Sequence, residues 1–313
     1  MASTRSFGLD VGTYGRLATP EAVLDVARLA EDLDFDSIWL PDHVAFPVAP
    51  RSAYPYSATG AFPADLAEPL LEPIATLGVL AGATKRVKLG TAVLVMPYRN
   101  PVLLARMLVT LDHFSGGRIV LGAGVGWLAE EFALLGSPAF AKRGRATDEY
   151  LEIFKAICAG GSVAYEGETY RFEAIHSVPG SLQRPHPPIL IGGLADPALR
   201  RVARLADGWL AVSIGPQQLP ERLAALRRFC GEHGRRYEDL ALVHKLFLSV
   251  GTAKPSGFGA RAPGTGSIPE IVDDLKALFD LGFKTVIVRY HGTSVAEQHE
   301  QLTRFAADII PKV

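Results

Sequence analysis

The pair with the widest chemical range is Asp42-His43, placed directly after the short apolar run Ser37-Ile38-Trp39-Leu40. Imidazole titrates near neutrality, so His43 can donate or accept a proton at physiological pH, and the carboxylate beside it can hold a ring nitrogen or a ligand. The bland reading of the same residue is a solvated loop histidine. Glycine is the second signal. Gly122-Ala123-Gly124-Val125-Gly126 offers backbone that an anion can approach closely, and Trp127 then opens a helical segment whose first amides favour negative charge. Gly192-Gly193 stands in the equivalent place after a later strand, so two such ends could share one phosphorylated ligand; alternatively the glycines only permit tight turning. The segment Gly124 to Ala129 fits GxGxxA, yet it follows the fourth strand and has no clear acid about twenty residues on, against a dinucleotide fold. His244 and Lys245 are adjacent in a strand, so they face opposite sides and one points inward. A desolvated lysine there could form a Schiff base, as in a lyase, although a lysine lying along the outer helices is commoner. His113, His176, His186, His233 and His299 lack partners in sequence and read as structural, and Arg200, Arg201 and Arg204 read as a solvated helix face. The strand ends carry no HxH, HExxH or CxxxCxxC spacing, so no metal is expected and reactivity is expected to come from an organic cofactor.

What must position these residues is a set of strands, because nearly every candidate directly follows one. Short runs rich in branched residues alternate with helical periodicity: Ser6–Asp10, Ser37–Leu40, Val87–Met96, Arg118–Leu121, Ile189–Ile191, Gly208–Val212, Leu240–Val250 and Thr285–Tyr290 read as strands, with a last helix near Ser294–Ile310. Thr19-Pro20, Asn100-Pro101 and Asp196-Pro197 mark strand-to-helix crossings. Eight strands with eight crossings predict one (β/α)8 TIM barrel over residues 1–313, whose active site lies at the C-terminal strand ends. Three insertions break the rhythm, after strands 2, 4 and 7. Residues 43–68 interleave prolines with Phe46, Tyr54, Tyr56 and Phe62 and should fold over something; Val163–Phe172 reads as a hairpin outside the barrel. The stretch 251–267, with Gly251, Gly257, Gly259, Gly264 and Gly266, reads as either a lid or a plain surface loop.

Composition narrows the class. The 313 residues carry 32 Lys and Arg against 33 Asp and Glu, so no basic face is expected for nucleic acid. Cys158 and Cys230 form neither a disulfide framework nor a CxxC pair, the first strand begins too early for a signal peptide, and no apolar run spans a bilayer; a cytoplasmic protein is expected.

Together, Ser37–His43, Leu89–Val95 with Tyr98-Arg99-Asn100-Pro101, Ser115–Arg118 leading to Gly122–Trp127 and Glu130-Glu131-Phe132, and Pro188–Gly193 resemble the luciferase-like flavin and deazaflavin oxidoreductases, most closely those using coenzyme F420 rather than FMN. The resemblance spans nearly the whole chain. It implies that Asp42 and His43 contact the cofactor ring, His43 exchanging a proton as hydride moves. It also implies a non-proline cis peptide at Ala92-Val93 against the ring, with Val95 nearby, and ribityl phosphate binding by Gly124, Val125, Gly126, Gly192 and Gly193. Trp127 stands where sugar-phosphate dehydrogenases of the family carry a catalytic glutamate, which disfavours glucose 6-phosphate. With Tyr54, Tyr56 and His291 it suggests an apolar or planar substrate. A cofactor-reducing partner enzyme and a homodimer are further expectations. Rival readings are an FMN-dependent monooxygenase, a non-catalytic flavin-binding barrel and a Lys245 lyase.

Overall fold

The branched runs pair side by side in parallel. The computed structural model describes residues 5–212, 214–257 and 261–313. Its main strands are β1 (Ser6–Asp10), β2 (Ser37–Leu40), β3 (Lys88–Thr91), β4 (Ile119–Gly124), β5 (Ile189–Gly192), β6 (Gly208–Val212), β7 (Ala241–Phe247) and β8 (Thr285–Arg289). Each pairs with its sequence neighbour, and the ring closes because β1 also pairs with β8, Ser6 opposite Thr285 and Leu9 opposite Val288. The result is a closed eight-stranded parallel barrel. Strand alternation divides the side chains between two cores. Trp39, Leu190, Leu210, Val243 and Ile287 meet one another inside the barrel, whereas Leu9, Ile38, Leu121 and Val286 pack outward against helices. Two glycines make room for the largest inner residue: a Cβ on Gly8 or Gly90 would lie 2.6 or 2.4 Å from the Trp39 indole.

The helices follow the predicted punctuation. Thr19 caps α1 (Pro20–Asp32), α2 covers Pro73–Ala83, and Asn100 caps α3 (Pro101–Ser115) through two backbone amides. α4 (Ala129–Leu134) is a single short helix, and Trp127 lies before it rather than opening it. α5 (Arg143–Ala159) leads into a hairpin of Gly161–Glu166 and Arg171–Ser177 outside the barrel. α6 (Asp196–Leu205), α7 (Leu219–Glu232), α8 (Ile268–Asp280) and α9 (Val295–Arg304) complete the outer layer.

Several expectations change in detail. The third run is interrupted at residues 92–93, where the Ala92-Val93 peptide is cis, and Leu94–Val95 then pairs with the end of β4. The seventh run ends at Phe247, and Ser249–Val250 leaves the barrel to pair with Thr265–Gly266. Arg201 is not on a solvated face: it is buried, paired with Asp148, and donates to Gly144 O at 2.9 Å, tying α6 to α5. The described part of the glycine-rich stretch is anchored, Arg261 forking onto Asp274 at 2.7 and 2.9 Å, while Gly259 lies outside the described residues.

Candidate active site

The insertion after β2 returns over the barrel mouth because its apolar rings have no other place to be buried. His43 sits beneath it, 6% exposed, with its ring centroid 4.4 Å from Phe46, 5.5 Å from Phe62 and 6.1 Å from Trp127. Phe62 stacks on Trp127 at an interplanar angle of 19°, and Tyr54 meets both edge-on. Tyr56 joins through Tyr54, at 5.5 Å. The structure thus gathers His43, Trp127, Tyr54 and Tyr56 in one aromatic cluster. His291 stands apart, exposed on the β8 side of the mouth with its ring 5.2 Å from Phe247.

Glu131 holds the histidine. From α4 its Oε2 lies 2.8 Å from His43 Nδ1 and accepts from Tyr98 Oη at 2.8 Å, while Oε1 accepts from the amides of Val44 and Ala45. Burial pushes this carboxyl up, but the His43 hydrogen bond and charge, with the two amides, outweigh it and hold the group below the ordinary value. An ionised Glu131 favours a proton on Nδ1, which leaves Nε2 as the nitrogen that can accept one.

Asp42 faces the other way. Its carboxylate takes a two-pronged bond from Arg99 at 2.8 and 2.9 Å and accepts from Val95 N at 2.9 Å. Those bonds strap the Ala92–Val95 segment to the end of β2, so the Asp42 carboxylate is committed to the chain itself. At the floor, the Val93 side chain is wedged between two strand ends: a Cβ on Gly124 or Gly192 would lie 2.4 or 2.6 Å from its methyls. Gly126 has φ +78° and a Cβ there would meet Phe132 and Val95 at 2.6 and 2.7 Å. Gly124 and Gly126 therefore have packing duties of their own. The first amide of α4 is capped by Ser52 Oγ at 3.1 Å, and Glu130 puts negative charge at that helix start, which makes it a poor anion site beside Val125. Gly193, at φ +121°, leads into an α6 start without a side-chain cap, where the acidic Asp196 of the first turn is paired with Arg222 at 3.1 Å.

Sequence reading missed a buried ion cluster. Lys245 points inward, correcting the outward alternative, and its Nζ pairs with Asp10 and donates to Ala92 O at 3.1 Å. Arg289 Nη1 lies 3.4 Å from the same Asp10 oxygen. Desolvation raises the Asp10 carboxyl, yet the Arg289 and Lys245 charges hold it below its ordinary value. Burial pushes the Lys245 ammonium down from its ordinary value, but its Nζ is engaged by Asp10 and by Ala92 O, so it offers no open approach to the carbonyl that a Schiff-base lyase requires. The signal was present: Asp10 and Arg289 are charged residues ending otherwise apolar strands. Glu131 and Tyr98 lie in segments that carry the family resemblance, but nothing in the sequence tied them to His43, since only the fold brings their elements together.

With this geometry in view, the profile of the luciferase-like monooxygenase family matches residues 3–255. A Mycobacterium tuberculosis protein of uncharacterised function is 35% identical over 205 residues, 65% of this chain and 71% of its own. An F420-dependent glucose-6-phosphate dehydrogenase from Microbacterium testaceum is 31% identical over 74% of this chain and 64% of its own. The FMNH2-dependent dimethylsulfone monooxygenase of Pseudomonas putida is 26% identical, covering 84% and 79%. Among solved structures, an F420-dependent secondary alcohol dehydrogenase superimposes with a TM-score of 0.79 at 16% identity, covering 99% of both chains.

Proposed function

Because this chain belongs to the luciferase-like monooxygenase family of flavin- and deazaflavin-type oxidoreductases, we propose that its barrel mouth binds coenzyme F420 and serves hydride transfer with a small apolar or planar organic substrate. The observation that carries this reading is His43, fixed through Nδ1 by Glu131 inside an aromatic enclosure next to the strapped Ala92–Val95 segment.

The residues fit such a group. The partly buried Val93 and Val212, packed on Leu190 and Leu210, make an apolar floor for one face of a flat ring. Gly193 and the uncapped start of α6 suit a phosphate. When bound, the deazaflavin supplies or receives the hydride. His43 moves the accompanying proton at Nε2, and Glu131 keeps the tautomer that makes this possible. Phe46, Phe62 and Trp127 exclude water from that nitrogen. Asp42 acts at one remove by holding Val95, and Trp127, Tyr54 and Tyr56 present flat apolar faces to the substrate. A separate reductase keeps the cofactor reduced, and two copies of the chain pair through α2 and α3.

One observation favours FMN with oxygen as the second reading: the Pseudomonas putida relative, alignable over 84% of this chain, is FMNH2-dependent. Parallel anaerobic titrations with F420 and FMN, oxidised and reduced, separate the two. Selective F420 binding is expected. Selective FMN binding would transfer the reading to the monooxygenase, and binding of neither would end both. Bound cofactor with no turnover of any substrate offered would point to a non-catalytic flavin-binding barrel, and turnover indifferent to His43→Ala would remove the role given to that histidine.

A further inference from the structure

The hydride chemistry makes no use of the charges buried at the ends of β1, β7 and β8. Asp10, Lys245 and Arg289 are 1%, 8% and 3% exposed. The single carboxylate pairs with both cationic side chains and accepts from Gly12 N at 2.8 Å, so with Lys245 and Arg289 both protonated the cluster carries one more positive than negative charge. Burying a charge without an equal partner is unfavourable, and a bound anion would relieve it. Arg289 is the member that reaches open space. It lines a cavity of about 300 Å³ at the barrel mouth, together with Gly12, Tyr14, Glu68 and His291. Its guanidinium carbon lies 4.4 Å from the centre of the Tyr14 ring, and that ring lies 6.0 Å from His43. Gly12, at φ +73°, keeps the approach clear, since a Cβ there would come 3.3 Å from a guanidinium nitrogen.

We propose that this cavity receives the carboxylate of a small, apolar or planar organic acid, bound by the Arg289 fork, with Tyr14 between that anion and His43. A guanidinium presents two parallel donors that match a carboxylate. One negative charge balances the cluster; the other charged residues lining the cavity, Arg16 paired with Glu68 at 3.6 Å and Asp65, sum to one negative charge, which repels a phosphate dianion more than a carboxylate. The proposal names the substrate class for the site described above and rests on that reading.

The test titrates the full chain, without cofactor, with benzoate, benzamide and phenyl phosphate by calorimetry, and the same preparation with F420 and FMN. Benzoate should bind at least about tenfold more tightly than its neutral amide or the phosphate, and Arg289→Gln should lose at least about tenfold of that affinity. Arg289→Lys, which keeps the buried charge but not the fork, should also weaken benzoate and serves if the glutamine variant unfolds. Equal binding of benzamide, tighter binding of phenyl phosphate, or full benzoate affinity in both variants would overturn the proposal. Flavin binding without benzoate binding would remove the carboxylate pocket and leave the oxidoreductase reading intact. Benzoate binding with neither flavin would do the reverse.

Discussion

An imidazole enclosed by aromatic rings is useful in catalysis only when one nitrogen is fixed and the other can meet a ligand. Glu131 meets the first of these conditions for His43, and two predictions follow at this scale. His43→Ala should slow turnover by on the order of a hundredfold while changing cofactor affinity far less, because proton delivery matters most in the transition state. Steady-state kinetics beside a cofactor titration checks this, and equal losses in both would refute the role. Glu131→Gln should cost roughly 1–3 kcal/mol of stability at neutral pH, since it removes a buried charged acceptor from His43, Tyr98 and two amides. The native carboxyl titrates below its ordinary 4.5, so its stabilisation is present above that pH and is lost as pH falls through the lowered value. Urea unfolding midpoints of the two proteins should therefore converge in acid; a gap that persists or widens there would contradict the assignment.

At the scale of elements, the mouth is shaped by how closely the ends of β4 and β5 approach the Ala92–Val95 segment. The absence of side chains at Gly124 and Gly192 is what lets Val93 sit on the floor. Gly192→Ala should destabilise by about 1–3 kcal/mol through overpacking, and Val93→Ala in the same chain should recover most of it. Additive losses in the double variant would mean that the two residues do not share that space. Gly193 differs: its φ of +121° strains any side chain, and a Cβ would lie 3.0 Å from that of Ala198. A bulky substitution there should lower both cofactor affinity and thermal stability, so melting must accompany the titration. The two mouth insertions also meet, Ala58 N donating to Gly257 O at 2.8 Å, which joins the aromatic loop to the glycine-rich one.

For the whole molecule, the closed barrel covers its strand edges, yet one outer face is left apolar. Val79 on α2 and Leu103 and Phe114 on α3 are 57%, 56% and 79% exposed, and α2 carries no charged residue. Such a face suits a second copy. Sedimentation should give a dimer, and Leu103→Glu with Phe114→Glu should halve the mass while leaving the far-ultraviolet circular dichroism unchanged; a monomeric parent protein would reject the pairing. Among the described residues, no helix is long and apolar enough to cross a membrane.

Local chemistry made the barrel legible in the sequence. Short branched runs bounded by turn residues favour strands, Asn100-Pro101 can start a helix and not continue one, and alternation along β7 put His244 and Lys245 on opposite faces before any contact was known. The same logic singled out Asp42 and His43, because residues that end barrel strands converge at one mouth. It could not show what those residues touch. Asp42 turns to Arg99 and Val95, Glu131 reaches His43 across 88 positions of sequence, and Asp10 meets Arg289 across 279. Burial and charge pairing act through space, so partners brought together only by barrel closure leave no periodic trace along the chain. Sequence thus determined the strands and gathered the candidate residues at one end of the barrel. Tertiary structure decided which carboxylate orients the histidine, which glycines accommodate Val93, and which carboxylate meets the buried Lys245 and Arg289.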